Sequence, residues 1–151
     1  MILRAALLLV SIFVADIAPA ATYRVDESGS FPQQSSTQMR WRQIAPSRGG
    51  DNAVEGSTTV NLRLNLAPWL NRNGRLFVVL PEQPVTPVKV SWTTQGRLLP
   101  GQLVSGQRVL VYVGPIVSPL LEETLVLKME ADGTRLSSAQ RLQFHFEIDI
   151  D

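Results

Sequence analysis

The chain has no cysteine, a single histidine and only two lysines among its fourteen basic residues. The first absence excludes disulfide staples, thiol nucleophiles and cysteine-ligated zinc, so small disulfide-knotted exported scaffolds are ruled out. With only His145 available, a histidine-rich metal centre is excluded as well. A formal net charge of +1 is too small for a dedicated nucleic-acid binder. Beyond the N-terminus there is no apolar run of the ~20 residues that a helical membrane span requires.

The N-terminal apolar run reads as an export signal. Arg4 supplies the positive n-region and residues 5–14 an h-region of ordinary length. Ala18-Pro19-Ala20 then offers the small-x-small pattern that directs cleavage before Ala21. Asp16 interrupts the run and argues against an uncleaved anchor. The expected mature chain is therefore periplasmic, secreted or at the cell surface, with no membrane span after cleavage. Residues 21–151 suit one domain, large enough to bury a core without covalent help.

Residues 21–38 are rich in Ser, Gln, Gly and Thr and offer little to bury, so they read as a flexible leader or a loosely attached edge. From residue 39 to residue 151 the dominant period is two. Val60, Leu62, Leu64 and Leu66 alternate with Asn61, Arg63 and Asn65. Val88, Val90 and Trp92 alternate with Lys89, Ser91 and Thr93, and Leu125, Leu127 and Met129 share one side of a further strand. Leu142, Phe144, Phe146, Ile148 and Ile150 form the longest unbroken alternation. Residues 75–80 are almost continuously apolar, and 107–113 are strongly β-forming.

Turn chemistry separates these segments. Asn71-Arg72-Asn73-Gly74 tolerates positive φ, Pro81, Pro84 and Pro87 mark an edge or crossover, and Pro100-Gly101, Gly114-Pro115 and Asp132-Gly133 close others. Residues 45–56 read as a loop, and 98–106 as turn-rich. Only residues 118–123 could start a helix, with Ser118 as cap and Pro119 in the first turn. The pattern predicts an all-β fold: one antiparallel immunoglobulin-like β-sandwich of about seven strands, with a small β-barrel as the alternative. Trp41, Trp69, Trp92, Phe77, Phe144 and Phe146 are the expected core or near-core aromatics.

No catalytic constellation accompanies this fold. There is no Gly-x-Ser-x-Gly elbow, and nothing pairs the carboxylates of Glu82, Glu122 and Glu123, so the chain is read as non-enzymatic and without a cofactor. His145 stands in the polar row Gln143, His145, Glu147, Asp149 and Asp151. Residues two apart on a strand lie ~6.6–7 Å from each other, too far for a straight row to enclose one ion. The row is expected to pair with arginines instead. Charge is unevenly placed: nine basic residues face only Asp51, Glu55 and Glu82 between residues 40 and 108, while the segment beyond is acidic.

The expected interaction surface comprises Arg40, Arg42, Arg63, His145, Glu147, Asp149 and Asp151, with Asn61 and Asn65 beside the arginines. These residue types suit a structural or assembly component of a cell-envelope surface structure, a fibre- or fimbria-like subunit or accessory factor. It would work through strand-edge contacts with a protein partner or another copy. The C-terminal strand, with no turn holding its far end, is the expected edge. The alternative is a monomeric periplasmic module binding a carbohydrate, anionic sugar included, or a partner protein. Mass spectrometry of the exported protein is expected to find Ala21 at its N-terminus; an intact Met1 form in the membrane fraction would overturn the export reading.

Overall fold

The computed structural model describes residues 21–43, 49–83, 86–136 and 141–151. The cleavage pattern, the start of the loop expected at 45–56 and Pro84 fall outside the described residues. Among the described residues ten strands are formed, all paired antiparallel: β1 (Ala21–Arg24), β2 (Phe31–Pro32), β3 (Arg40–Trp41), β4 (Ala53–Asn65), β5 (Asn73–Val79), β6 (Lys89–Thr94), β7 (Gly101–Val104), β8 (Arg108–Pro115), β9 (Leu120–Asp132) and β10 (His145–Ile150). A 3₁₀ turn, Ala67–Trp69, carries Pro68 in its first turn.

Two sheets result. One is four-stranded in the order β1-β10-β5-β8; the other runs β2-β4-β9-β6-β7, with β3 also pairing β4. They pack face to face and do not close on themselves, so the sandwich expectation holds and the barrel does not. Alternation decides which side chains meet. Leu62 and Leu64 of β4, Leu125 and Leu127 of β9, and Val90 and Trp92 of β6 face Leu76 and Val78 of β5 and Phe146, Ile148 and Ile150 of β10. Leu64, Leu76, Val90 and Ile148 are fully enclosed. An apolar cavity of about 70 Å³ persists between the sheets near Val60 and Phe144, both only partly covered. Its lining has no polar group to hold water.

The Asn71–Gly74 turn forms as its residues indicate, and Asn71 takes the positive φ of 63°. Gly74 serves a different purpose. A Cβ there would stand 3.0 Å from Cδ1 of Ile148 and 3.2 Å from that of Ile150, so its bare backbone lets β10 pack closely on β5.

Several expectations change. Residues 21–38, read as a flexible leader or a loosely attached edge, supply the end strands of both sheets: β1 joins the four-stranded sheet, Val25 is buried, and Asp26 bridges to Asn65 of β4 before β2 joins the second sheet. All four β1 side chains are exposed, so backbone pairing rather than burial holds it, and composition gives no sign of that. The C-terminal strand is not an edge, because β1 covers one side of β10 and β5 the other. Residues 118–123 are not helical. Leu121 pairs with Leu64, and the ladder with β4 carries Leu120 onward as strand. The segment at 98–106 contains β7, and β4 begins at Ala53, inside the segment read as loop. Trp41 is half exposed, its ring lying against Gly133, while Trp69 and Trp92 are buried as expected.

Leu64→Ala should cost ~2–5 kcal/mol in chemical denaturation, since the cavity opens between two packed sheets. Arg63→Ala, one residue away but on the solvent side, should cost under ~1 kcal/mol. Comparable losses would overturn the face assignment.

Candidate functional site

The residues expected to form one interaction surface lie on opposite sides of the sandwich. Arg40 and Arg63 belong to the six-stranded sheet and Arg42 follows β3 directly, whereas His145, Glu147 and Asp149 belong to the four-stranded one and Asp151 follows β10. Each group is largely neutralised where it stands.

On the six-stranded sheet, Arg42 binds Glu130 at 2.5 Å, Asp51 at 3.1 Å and Glu55 at 3.5 Å. The hydrogen bond to Glu130, followed by Asp51, holds its guanidinium above the ordinary arginine pKa. Lys128 reaches Glu55 at 2.9 Å, and Arg40 stands opposite Glu55 in the β3–β4 register. Arg63 pairs with Glu122 on β9 at 3.3 Å. Asn61 accepts from Thr124 at 3.3 Å, while Asn65 caps the backbone N–H of Ala67 at 3.1 Å. Arginine forks thus meet carboxylates of the chain's own acidic third, as their planar geometry favours.

The outer face of the four-stranded sheet is organised by Arg108, which sequence periodicity did not single out. Its guanidinium carbon lies 3.4 Å from the centroid of the Phe77 ring. From there Nε donates to Glu147 at 2.7 Å and Nη2 to Asp149 at 2.6 Å. Thr22 of β1 donates to the same Asp149 oxygen at 2.6 Å, and His145 Nε2 stands 3.2 Å from Glu147. Arg75, opposite Asp149 in the register, reaches Asp151 at 3.4 Å. The acidic row therefore pairs with arginines, but its main partner comes from two strands away. A register shift between Leu76 and Phe77 sets Leu110 opposite Phe77 and Arg108 opposite Val79, an offset that alternation alone does not show.

Burial works to raise the pKa of Asp149, but hydrogen bonds from Arg108 and Thr22 and the charges of Arg108 and Arg75 outweigh it and leave it below the usual aspartate value. Glu147 is likewise lowered, burial being outweighed by Arg108 and His145. Burial alone would lower the pKa of Arg108, but the two carboxylates hold it above the ordinary arginine value. Mutually satisfied in this way, the cluster ties β1, β10, β5 and β8 together and leaves little charge to offer a ligand.

Open surface lies elsewhere. Nine large apolar side chains are exposed among the described residues, and four of them follow the free edge strand β8: Leu110, Val113, Val117 and Leu99. A hydrogen bond of 2.7 Å from Leu99 N–H to the Val111 carbonyl holds Leu99 at that edge. The second open region is a groove of about 910 Å³ on the outer face of the six-stranded sheet, with Arg63, Asn61, Thr124, Val126 and the exposed ring of Phe31 among its lining. Phe31 is the one aromatic residue between Tyr23 and Trp41, and an aromatic in so polar a stretch is the sequence signal that could have marked it.

Among the described residues no group of three or more His, Asp or Glu side chains is placed to hold a metal ion, and no helix is long and apolar enough to cross a membrane. Comparison with protein-family models, with curated proteins and with solved structures found no match for this chain.

The Arg108 cluster has a pH signature. Carboxylates with depressed folded-state pKa values add stability above their unfolded values, ~3.9 for Asp and ~4.3 for Glu, and lose it as pH falls through the folded values. Unfolding free energy measured from pH 7 downward should therefore decline steeply below about pH 4. Asp149→Asn should flatten that acid limb; an unchanged limb would show that the cluster does not couple folding to protons.

Proposed function

We propose that this chain is an exported, non-enzymatic β-sandwich that serves as a structural or assembly component of the cell envelope, joined to a protein neighbour along an open sheet edge. The observation that carries this reading is the apolar edge at β8. Its far side has no strand partner among the described residues, and Leu110, Val113 and Val117 are 36%, 59% and 66% exposed beside it.

Edges of soluble proteins are normally blunted by charge, proline or bulges because unpaired N–H and C=O groups template further pairing. Here Gly114-Pro115 ends the strand and the Leu99 hydrogen bond covers the middle, which leaves side chains and a short backbone run to make the contact. A partner strand or loop laid against β8 would bury the valines and complete the ladder. The terminal strand β10 cannot supply this edge while β1 remains in place. β1 is the other free edge of the sheet, but it is only four residues long.

Native mass spectrometry of the mature chain, and of complexes crosslinked in envelope extract, supplies the test. Val113 is exposed enough that Val113→Lys should alter stability by no more than ~0.5 kcal/mol. With circular dichroism unchanged, that variant should lose association by at least about tenfold. Undiminished association, or a wild-type chain that stays monomeric and uncrosslinked in the envelope, would remove the edge reading.

A further inference from the structure

We propose that the groove on the outer face of the six-stranded sheet is a binding site for an uncharged oligosaccharide. It is separate from the β8 edge, which belongs to the other sheet.

Its floor consists of aligned cross-strand rows. Phe31, Asn61 and Thr124 lie opposite one another on β2, β4 and β9, and Val126 and Thr93 pair in the next row on β9 and β6. From β2 to β6 the floor spans three inter-strand spacings, about 14 Å, which suits a short oligosaccharide better than a single sugar. Phe31 is 57% exposed and Val126 49% exposed. The floor thus pairs bare apolar surface with amide and hydroxyl groups. A pyranose ring has the matching character, with a C–H face that packs on an aromatic ring and hydroxyls that exchange hydrogen bonds at its rim.

Both walls are pinned in place. Ser30 Oγ accepts from Arg63 N–H at 2.8 Å and donates to the Arg63 carbonyl at 3.1 Å, which fixes the chain immediately before Phe31. Across the groove, Glu123 accepts from the Thr94 hydroxyl at 2.6 Å and from Leu98 N–H at 3.0 Å, and also from Arg97 N–H, so the loop containing Gln95 and Gly96 is held. Pre-set walls lower the ordering cost of binding.

Charge selects the ligand class. Arg63 is spent on Glu122, and with Glu123 also in the lining the groove has no surplus of positive charge, so an anionic sugar gains nothing there. An extended peptide is also disfavoured. The thirteen-residue ladder of β4 with β9 and the pairing of β9 with β6 engage the floor's backbone groups, and a sheet face offers a peptide no edge to join.

The full mature chain should be titrated with cello-, malto- and chito-oligosaccharides and with an oligogalacturonate, by calorimetry and by amide chemical-shift mapping. At least one uncharged oligomer is expected to bind and to shift the amides of Asn61, Thr124 and Val126. Phe31→Ala should weaken it by at least about tenfold, and Phe31→Tyr, which keeps the ring, should retain it. Val113→Lys should leave it unchanged, so this proposal and the β8 reading fail separately. Three results would overturn it: no uncharged oligomer bound at millimolar concentration, binding indifferent to Phe31→Ala, or tighter, salt-dependent binding of the oligogalacturonate.

Discussion

The thirteen-residue antiparallel ladder between β4 and β9 is the constraint on which everything else hangs. Its inward rows, Leu62 and Leu64 against Leu121, Leu125 and Leu127, supply one wall of the core. Its outward rows carry Asn61, Arg63, Glu122 and Thr124, which form the groove floor and neutralise one another. Every other strand of that sheet attaches directly or indirectly to this pair, with β2 and β3 on the free side of β4 and β6 on the free side of β9. Because the side-chain period is two, a one-residue slip would exchange core and groove. Fold and candidate site are therefore specified by the same register.

Local alternation made much of this architecture legible. The inward faces of β4, β6, β9 and β10 followed from residues such as Leu64, Val90, Leu127 and Ile148, because half-buried strands write their burial into every second position. The turn at residues 71–74 was equally readable, since the need for positive φ selects Asn or Gly. Pairing partners were not readable. Alternation says that the β10 segment has an apolar face, but it is silent on which strands flank it. Its neighbour β1 pairs through backbone groups common to all sequences, which is how polar Thr22 and Arg24 came to join a sheet.

The candidate sites were legible only in part, for related reasons. Arg42, Arg63, Glu147 and Asp149 stood out by charge, and each is engaged within the chain. Arg108 became the hub of its face through a bulge, and bulges shift register without altering composition. Phe31 was hidden within a segment whose polarity argued against structure. For Arg108 the informative quantity is a contact between distant residues, which a chain read one window at a time does not contain; for Phe31 the lone aromatic in a polar stretch was the local signal.

The pairing of Ala21 with Ile150 and of Thr22 with Asp149 has a kinetic side. The hydroxyl–carboxylate bond between the latter two joins residues 127 apart in the sequence. Closure entropy grows with loop length, so contacts of such high order tend to form after local hairpins. The four-stranded sheet would then be completed late, with β10 waiting for its outer neighbour and its edge briefly open to other chains. In a chain trimmed to residues 21–151, joining the two ends by a short linker, with new ends opened in a surface loop, would turn this contact into a hairpin. Such a circular permutant would separate the order in which the sandwich assembles from the stability it finally reaches.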